Sequence, residues 1–395
     1  MREICKEMLN ALSDWCNKWR LTINETKTKV VHFSPKRTPL TTNVFTLNRK
    51  NVEMVSHYKY LGLHLQEFFD LNFTADFLAN AGSRALGALR NKIYNVKDMK
   101  LGTFTKLFTT GITPILDYCS GVWGFNSYKS IEDVQRKASR YFLGVHKLCP
   151  IAALEGDIGW VSCSVRRKIN MIKLYNRLSI MDDTRLPKRL LLYNIDMMNV
   201  SRNWCSEMSD LLHDLENQSD VRNVQPLDVD VLRCKLINKQ VSNWDNIRYG
   251  KLKLRNYNLF KTDMETEVYV NFSLDKYTRS LYAQFRAGIL PLTVEIGRYY
   301  GIPIEERFCP LCIVNNENSV EDEFHFLCKC AHYNELRKLL YENVSETCDN
   351  FMEMDDFDKF IYLNVNSQIL TSKFICNAWK VRQASLYKAN NAVNR

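Results

Sequence analysis

WCNKWRLTINETKTKVVHF at residues 15–33 is followed, after a short hairpin-like segment, by HYKYLGLHL at 57–65. The first segment reads as an amphipathic helix end, a polar turn carrying Asn24, Lys27 and Lys29, and a buried strand Val30-Val31-His32-Phe33. Upstream, Ile4, Met8, Leu9, Leu12, Trp15, Cys16 and Trp19 recur at helical spacing, so one face of residues 3–19 packs inward. Downstream, NVFTLNRKNVEMV at 43–55 reads as a hairpin turning near 48–51, and 58–65 as a strand carrying the tight Leu61-Gly62. Residues 1–66 therefore form a small α+β unit with too few strands to close a sheet. Edges at 28–33 and 58–65 left without sheet neighbours favour self-association with another chain.

From Thr74 the pattern becomes helical. FTADFLANAGSRALGALRNKIY (73–94), FTKLFTTGITPILDYCSGVWG (104–124) and SIEDVQRKASRYFLGV (130–145) space apolar residues by three and four. Pro114 breaks or kinks the second. In the third, Ser130 with Asp133 reads as an acidic variant of the capping box. Further helices are expected at 165–182, 202–216, 226–242, 277–299 and 332–344, and loops at 217–226 and 314–322. The fold class is mainly α, and the expected division is 1–66, 67–200, 201–300, 301–345 and 346–395.

With 395 residues, 46% hydrophobic and 25% charged, the chain is globular in composition and long enough for more than one core. No apolar run approaches the length of a membrane span, and charges interrupt MREICKEMLNALSDW, which reads as a helix and not a secretory signal. Thirteen irregularly spaced cysteines suit a reducing compartment, cytoplasmic or nuclear. The net charge of +10 is concentrated. Residues 84–189 hold 19 Lys/Arg against 8 Asp/Glu, while 190–395 hold 24 against 28. Such a basic middle third fits a phosphate-facing surface; the plainer reading is solvated helix faces with no partner.

Cys309-Pro310-Leu311-Cys312, His325 and Cys330 form C-x2-C-x12-H-x4-C. Two thiols two residues apart grip one tetrahedral ion from a tight turn, and a His and a Cys on a following helical turn close the shell. The expected cofactor is a structural zinc ion with no open position for water. Phe324 and Phe326 flank His325 and supply a small core. Cys328 and His332 compete for the fourth position, and the plainer reading is a set of reduced, buried cysteines.

In the basic third, Arg136, Lys137 and Arg140 share one helix, and Arg166, Arg167 and Lys168 begin another, with Gln135 and Tyr141 near. Such residues position a nucleic-acid backbone without reading its sequence. Asp182-Asp183 is a decoy for a polymerase metal pair. That chemistry needs carboxylates presented at a β-hairpin, whereas these two end the helical run KINMIKLYNRLSIM.

The opening segments resemble the end of a reverse-transcriptase palm in non-LTR (LINE-type) retrotransposons, with YKYLG similar to the primer-gripping hairpin. ITPILDYCSGVWG and IEDVQRKASRYFLGVHKLCPIAALEGDIGW resemble the helical thumb and connector. RSLYAQFRAGILPLTVEIGRYYGIPIEERFCPLC with EDEFHFLCKCAHYNELR resembles the C-terminal Cys/His segment. The likeness covers most of 12–340 and is weakest at 185–245. It implies that Lys27 matches the lysine of Asn-x-x-Lys-Thr near the incoming nucleotide. It places Tyr58, Lys59, Tyr60 and Gly62 on the primer-grip strand, and gives Cys309, Cys312, His325 and Cys330 to a metal knuckle.

No Tyr-x-Asp-Asp is present, so the residues that would bind catalytic Mg²⁺ in a full-length relative are missing. The expectation is a truncated reverse-transcriptase-like protein, inactive as an RNA-directed DNA polymerase, that retains binding to RNA or RNA–DNA template–primer. The alternatives are an active enzyme whose catalytic half lies upstream, and a zinc-stabilised helical protein-interaction module.

Overall fold

A computed structural model describes residues 2–24, 26–34, 44–48, 50–96 and 99–393. It is mainly helical, with a small N-terminal sheet. Helix α1 (Arg2–Lys18) lays Cys5 and Leu9 over Phe45, Leu47 and Val52 and buries Cys16. The rest of the face expected to pack inward, Ile4, Met8, Leu12, Trp15 and Trp19, is exposed, because the small sheet is too narrow to cover it. Strand β1 (Lys29–Val30) pairs parallel with β3 (Lys50–Met54), which pairs antiparallel with β2 (Phe45–Leu47), giving the order β1-β3-β2. The strand expected at 28–33 is thus two residues long. The hairpin turns at Asn48, whose φ is 50°; Arg49 and Asn43 of the expected hairpin lie outside the described residues.

The strand expected at 58–65 is itself a hairpin, β4 (His57–Tyr60) and β5 (Leu63–Gln66), paired from His57↔Gln66 to Tyr60↔Leu63. Its two-residue turn, Leu61 (φ 47°) and Gly62 (φ 94°), has both residues left-handed, the backbone that matches strand twist in tight hairpins. A Cβ on Gly62 would meet the Tyr118 ring at 3.2 Å. The Tyr118 hydroxyl donates to the Leu61 carbonyl at 2.5 Å, so a residue far along the chain fixes the tip.

Helix α2 (Leu71–Lys92) begins on an Asp70 cap and packs on that hairpin, with His64 stacked on Phe77 at 3.6 Å. Pro114 acts as expected. The run breaks at Ile112 between α3 (Leu101–Gly111) and α4 (Thr113–Leu116), and proline occupies a first-turn position where its missing N–H is not needed. After α5 (Ser120–Trp123), α6 (Lys129–Leu143) starts at Tyr128 with no side-chain cap, so the Ser130 capping box does not form. Glu132 instead accepts the Cys163 and Ser164 N–H groups, at 3.2 and 2.7 Å. Those residues follow α7 (Ile151–Ile158) and open α8 (Cys163–Ser179), so Glu132 joins Ser162 in capping α8.

Helices α8, α9 (Leu186–Asp196), α10 (Trp204–Asp214) and α11 (Val229–Tyr249) enclose a core of their own, including Ile172, Tyr175, Leu191, Met208 and Leu232. The larger core runs from Ala75 to Trp379. It crosses the boundaries expected at 200, 300 and 345, and draws on α12 (Tyr257–Phe260), α13 (Val268–Asn271), α14 (Lys276–Arg286), α15 (Thr293–Tyr299), α16 (Asn334–Ser345), α17 (Asp356–Val365) and α18 (Gln368–Val393). The single helix expected at 277–299 is two, α14 and α15. Gly288 separates them at φ 64°, its α-carbon so close that a Cβ would lie 2.6 Å from the Lys253 carbonyl oxygen. Among the described residues, no helix is long and apolar enough to cross a membrane.

At the centre of this core Arg286, with no exposed side-chain surface, meets Asp157 at 3.3 Å and Glu267 at 2.9 Å. Lys261 joins Glu267 at 2.6 Å, while the Tyr257 and Tyr269 hydroxyls donate to Asp157 at 3.0 and 2.6 Å. Two cations thus face two carboxylates, and aromatic rings line the guanidinium, nearest Phe260 at 4.7 Å.

Gly156 in α7 lies against the same region; a Cβ there would sit 2.4 Å from Tyr257 Oη and 2.6 Å from Trp244 Cζ2. Both neighbours are fully buried and hydrogen-bonded, Trp244 to the Ala152 carbonyl at 2.7 Å. Gly156→Ala is expected to destabilise the fold by about 1–3 kcal/mol despite alanine's better helix propensity. Urea unfolding measures it, and a midpoint at or above wild type would refute the steric account.

Candidate metal centre and basic cleft

The metal centre begins with an antiparallel bridge, Phe308 opposite Val320, flanked by Cys309 N–H to Ser319 O (2.7 Å) and Glu321 N–H to Arg307 O (2.9 Å). Between these, Cys309-Pro310-Leu311-Cys312 forms a turn closed by Ile313 N–H to Cys309 O at 3.1 Å. The Leu311 and Cys312 N–H groups are directed at the Cys309 sulfur. The other two donors come from a π-helical turn, His325–Lys329, where Cys330 N–H bonds to His325 O at 2.8 Å. In an α-helix, residues five apart point about 140° from one another at 3.6 residues per turn. The wider turn stacks His325 and Cys330 on one side.

The donor atoms of Cys309, Cys312, His325 and Cys330 all lie within 4.8 Å of one another, and all four residues are buried. Sulfur to sulfur, Cys312–Cys330 is 3.6 Å and Cys309–Cys330 4.0 Å; Cys312 Sγ to His325 Nε2 is 3.5 Å. The two competitors for the fourth position face elsewhere. Cys328 packs by Arg337 and Tyr341, and burial pushes its thiol up to about 12. His332 Nε2 meets the Leu311 carbonyl oxygen at 2.8 Å. Within the cluster, hydrogen bonding with Cys330 pulls Cys309 down to about 3 and pushes Cys330 up, and burial pushes Cys312 up to about 11. One thiolate is thus favoured, and full deprotonation of three thiols this close requires a cation.

The surroundings tie this centre to the core. Phe326 is fully buried and packs on Tyr333 (5.0 Å) and Trp379 (6.4 Å); Phe324 packs on Phe360 (5.6 Å). Glu321, with one oxygen 3.9 Å from Cys309 Sγ, takes a two-pronged ion pair from Arg382 of α18 at 2.8 and 2.7 Å. Arg337 donates to the Leu327 and Cys330 carbonyls at 2.9 and 2.7 Å. The aromatic residues beside His325 therefore join the main core and do not form a separate small one.

A second feature lies between α2, α6 and α14. A cleft of about 530 Å³ is lined by Arg90, Asn91, Tyr94, Lys137, Arg140, Tyr141, Gly144, Val145, Lys147 and Lys276. Five of these are cationic and none is a carboxylate. The Tyr141 ring holds Arg90 on one contact and Lys276 on another, each 4.7 Å from its centroid. Arg140 Nε is buried with no hydrogen-bond partner among the described residues. No protein-family model, curated protein or solved structure matches this chain. The cleft and the metal centre therefore have to be read from their own chemistry.

Of the cations expected to form one surface, Lys137 and Arg140 reach the cleft. Arg136 turns away and pairs with Glu155 at 3.1 Å and Asp133 at 3.6 Å. The Arg166-Arg167-Lys168 triplet does not face it. Arg166 bonds Asp117 (2.9 Å) and Gln135 (2.6 Å), which makes Gln135 an internal partner too. Arg167 has no exposed side-chain surface and lies 3.7 Å from Glu132, over the rings of Trp123 and Tyr128. Lys168 lines a cavity with Glu207, Asp210 and Asp214, and burial lowers its pKa. Three consecutive helical residues splay over about 200°, so a run on a helix packed from several sides cannot present one face. Asp182 simply caps the loop after α8, accepting from Thr184 N–H at 2.9 Å.

At the N-terminal unit, the Tyr58 hydroxyl donates to the Lys27 carbonyl at 3.2 Å, which brings turn and hairpin together. Lys29 pairs with Glu53 across the strands. Lys27, Lys59, Tyr60 and Gly62 are exposed. The cleft residues missed in the sequence are Arg90, Tyr94, Lys147 and Lys276. All but Lys276 lie in the basic third, where the local charge excess was the available signal.

Proposed function

We propose that this chain binds the phosphate backbone of RNA or of an RNA–DNA template–primer, as the palm-end, thumb and connector of a non-LTR retrotransposon reverse transcriptase would. The observation that carries this reading is the cleft, where five cations converge and, among the described residues, no carboxylate joins the lining. Repulsion among them is relieved by a polyanion, and repeated phosphates are the anion that spans such a surface. These residues bind and orient; among the described residues no paired carboxylate at a strand turn accompanies them, so strand synthesis is not assigned to them.

Cys309, Cys312, His325 and Cys330 would hold a structural zinc ion in the same reading. Bonds of about 2.3 Å to sulfur and 2.0–2.1 Å to nitrogen at tetrahedral angles set S···S near 3.8 Å and S···N near 3.6 Å. The observed 3.6, 4.0 and 3.5 Å fit that donor set. Zinc there supplies cross-linking and thiolate charge compensation, and no catalysis.

The test is RNA affinity against salt. With about four to five phosphates neutralised, affinity for a single strand is expected to fall about fiftyfold or more between 50 and 200 mM KCl. Equal affinity at both, or none at either, would overturn the reading. One observation favours a protein-binding module instead: α1 and the turn after it expose Ile4, Met8, Trp15 and Trp19. A pull-down that recovers protein partners and no nucleic acid would decide for it.

A further inference from the structure

Backbone binding alone does not use the aromatic residues of the cleft, and its two tyrosines are in opposite situations. Tyr141 has its ring engaged by Arg90 and Lys276 at 4.7 Å each. It already holds two cations of the cleft against its ring. Tyr94, just beyond the end of α2, lines the same cleft, is 74% exposed, and contacts no other ring among the described residues. A large ring left in water at the mouth of a cationic cleft is a platform for a flat, π-faced group whose attached phosphates reach the cations within.

We infer that the cleft takes a single-stranded nucleic acid, with one unpaired base stacked on Tyr94 and the adjoining phosphates at Lys137, Arg140 and Lys147. This rests on the reading of the cleft as a backbone site and adds which form of nucleic acid it selects. A duplex presents phosphates to the same cations, but its bases are stacked on one another and leave no face for Tyr94. A single strand presents both. The cleft, about 530 Å³ and open to solvent, has room for a nucleotide or two.

The measurement is fluorescence anisotropy on the full chain with labelled oligo(U), oligo(dT) and a short RNA duplex. Tyr94→Ala is expected to weaken both single strands about tenfold or more and to leave duplex affinity unchanged, while Tyr94→Phe binds like wild type. Tyr94 is exposed, so neither substitution threatens folding. Lys137→Glu/Lys147→Glu is expected to weaken all three probes. A loss confined to oligo(U) assigns the strand to RNA; a loss with both probes assigns the site to single strands of either sugar. If Tyr94→Ala weakens single strand and duplex alike, or neither, while the charge reversal still acts, the stacking inference falls and backbone binding stands. If the charge reversal leaves every probe unchanged, backbone binding falls as well.

Discussion

Cys309→Ser/Cys312→Ser is expected to abolish metal retention and to unfold the region around residues 309–382. Wild-type protein should carry about one zinc per chain, since four donors make one tetrahedral shell. The double variant should carry none. The cost is large because these sulfurs are not on a peripheral finger. Cys309, Cys312 and Cys330 are part of the main core, together with Phe326, Phe360 and Trp379. The two substitutions leave Cys330 and His325 buried with no ion to bridge, and loosen the π turn that Phe326 anchors. Structural zinc supplies about 10–16 kcal/mol in small peptides, so even a fraction of that exceeds what most domains have to spare. Cys328→Ser is the control: it is also buried, lies outside the cluster, and should keep its metal. Unchanged metal content in the double variant would remove the site.

Arg286→Ala should come next in severity, at about 3–5 kcal/mol, because it leaves buried Asp157 with no cation and Glu267 with Lys261 alone. The two carboxylate side chains are 3% and 8% exposed, so water cannot replace the guanidinium. Urea unfolding at neutral pH reads the effect. Arg286→Lys, which keeps the charge and loses the fork, should fall between alanine and wild type. Adding Asp157→Asn to Arg286→Ala should recover part of the alanine loss, since the carboxylate left with no cation is then neutral while Glu267 keeps Lys261. Equal stability of Arg286→Ala and wild type would show that the charges are not coupled.

The parts of this molecule that were legible in the sequence are those whose signal is local. The helices at 73–94 and 130–145 follow from spacing, and the break at Pro114 from proline's missing donor. The first three metal donors follow from C-x2-C and a downstream histidine. The fourth, Cys330, is in the motif too, but the sequence left Cys328 and His332 as competitors for it. Helical periodicity pairs His325 with Cys328 or Lys329, and only a π turn selects Cys330, five residues on. The hairpin at 57–66 was read as one strand because Leu61 gives no sign of a left-handed backbone. Arg166 and Arg167 were read as surface cations because a basic run looks the same whether its partners are water or, as here, Asp117 and Glu132. The Arg286 hub and the contribution of Lys276 to the cleft come from contacts over more than a hundred residues, for which no local pattern exists.

The Glu321–Arg382 pair joins residues 61 apart in the chain, and it also sets an order of events during translation. At about 5–20 residues per second, Arg382 follows Glu321 out of the ribosome by about 3–12 s. During that interval the cysteines of the 309–330 segment have emerged while α18, which seals them, has not. The finished site is nearly inaccessible, its four residues buried. The nascent chain thus offers its thiols to a passing zinc ion, or to an oxidant, more openly than the mature protein does. On the zinc reading, metal present during synthesis is expected to raise the folded yield more than metal added afterwards.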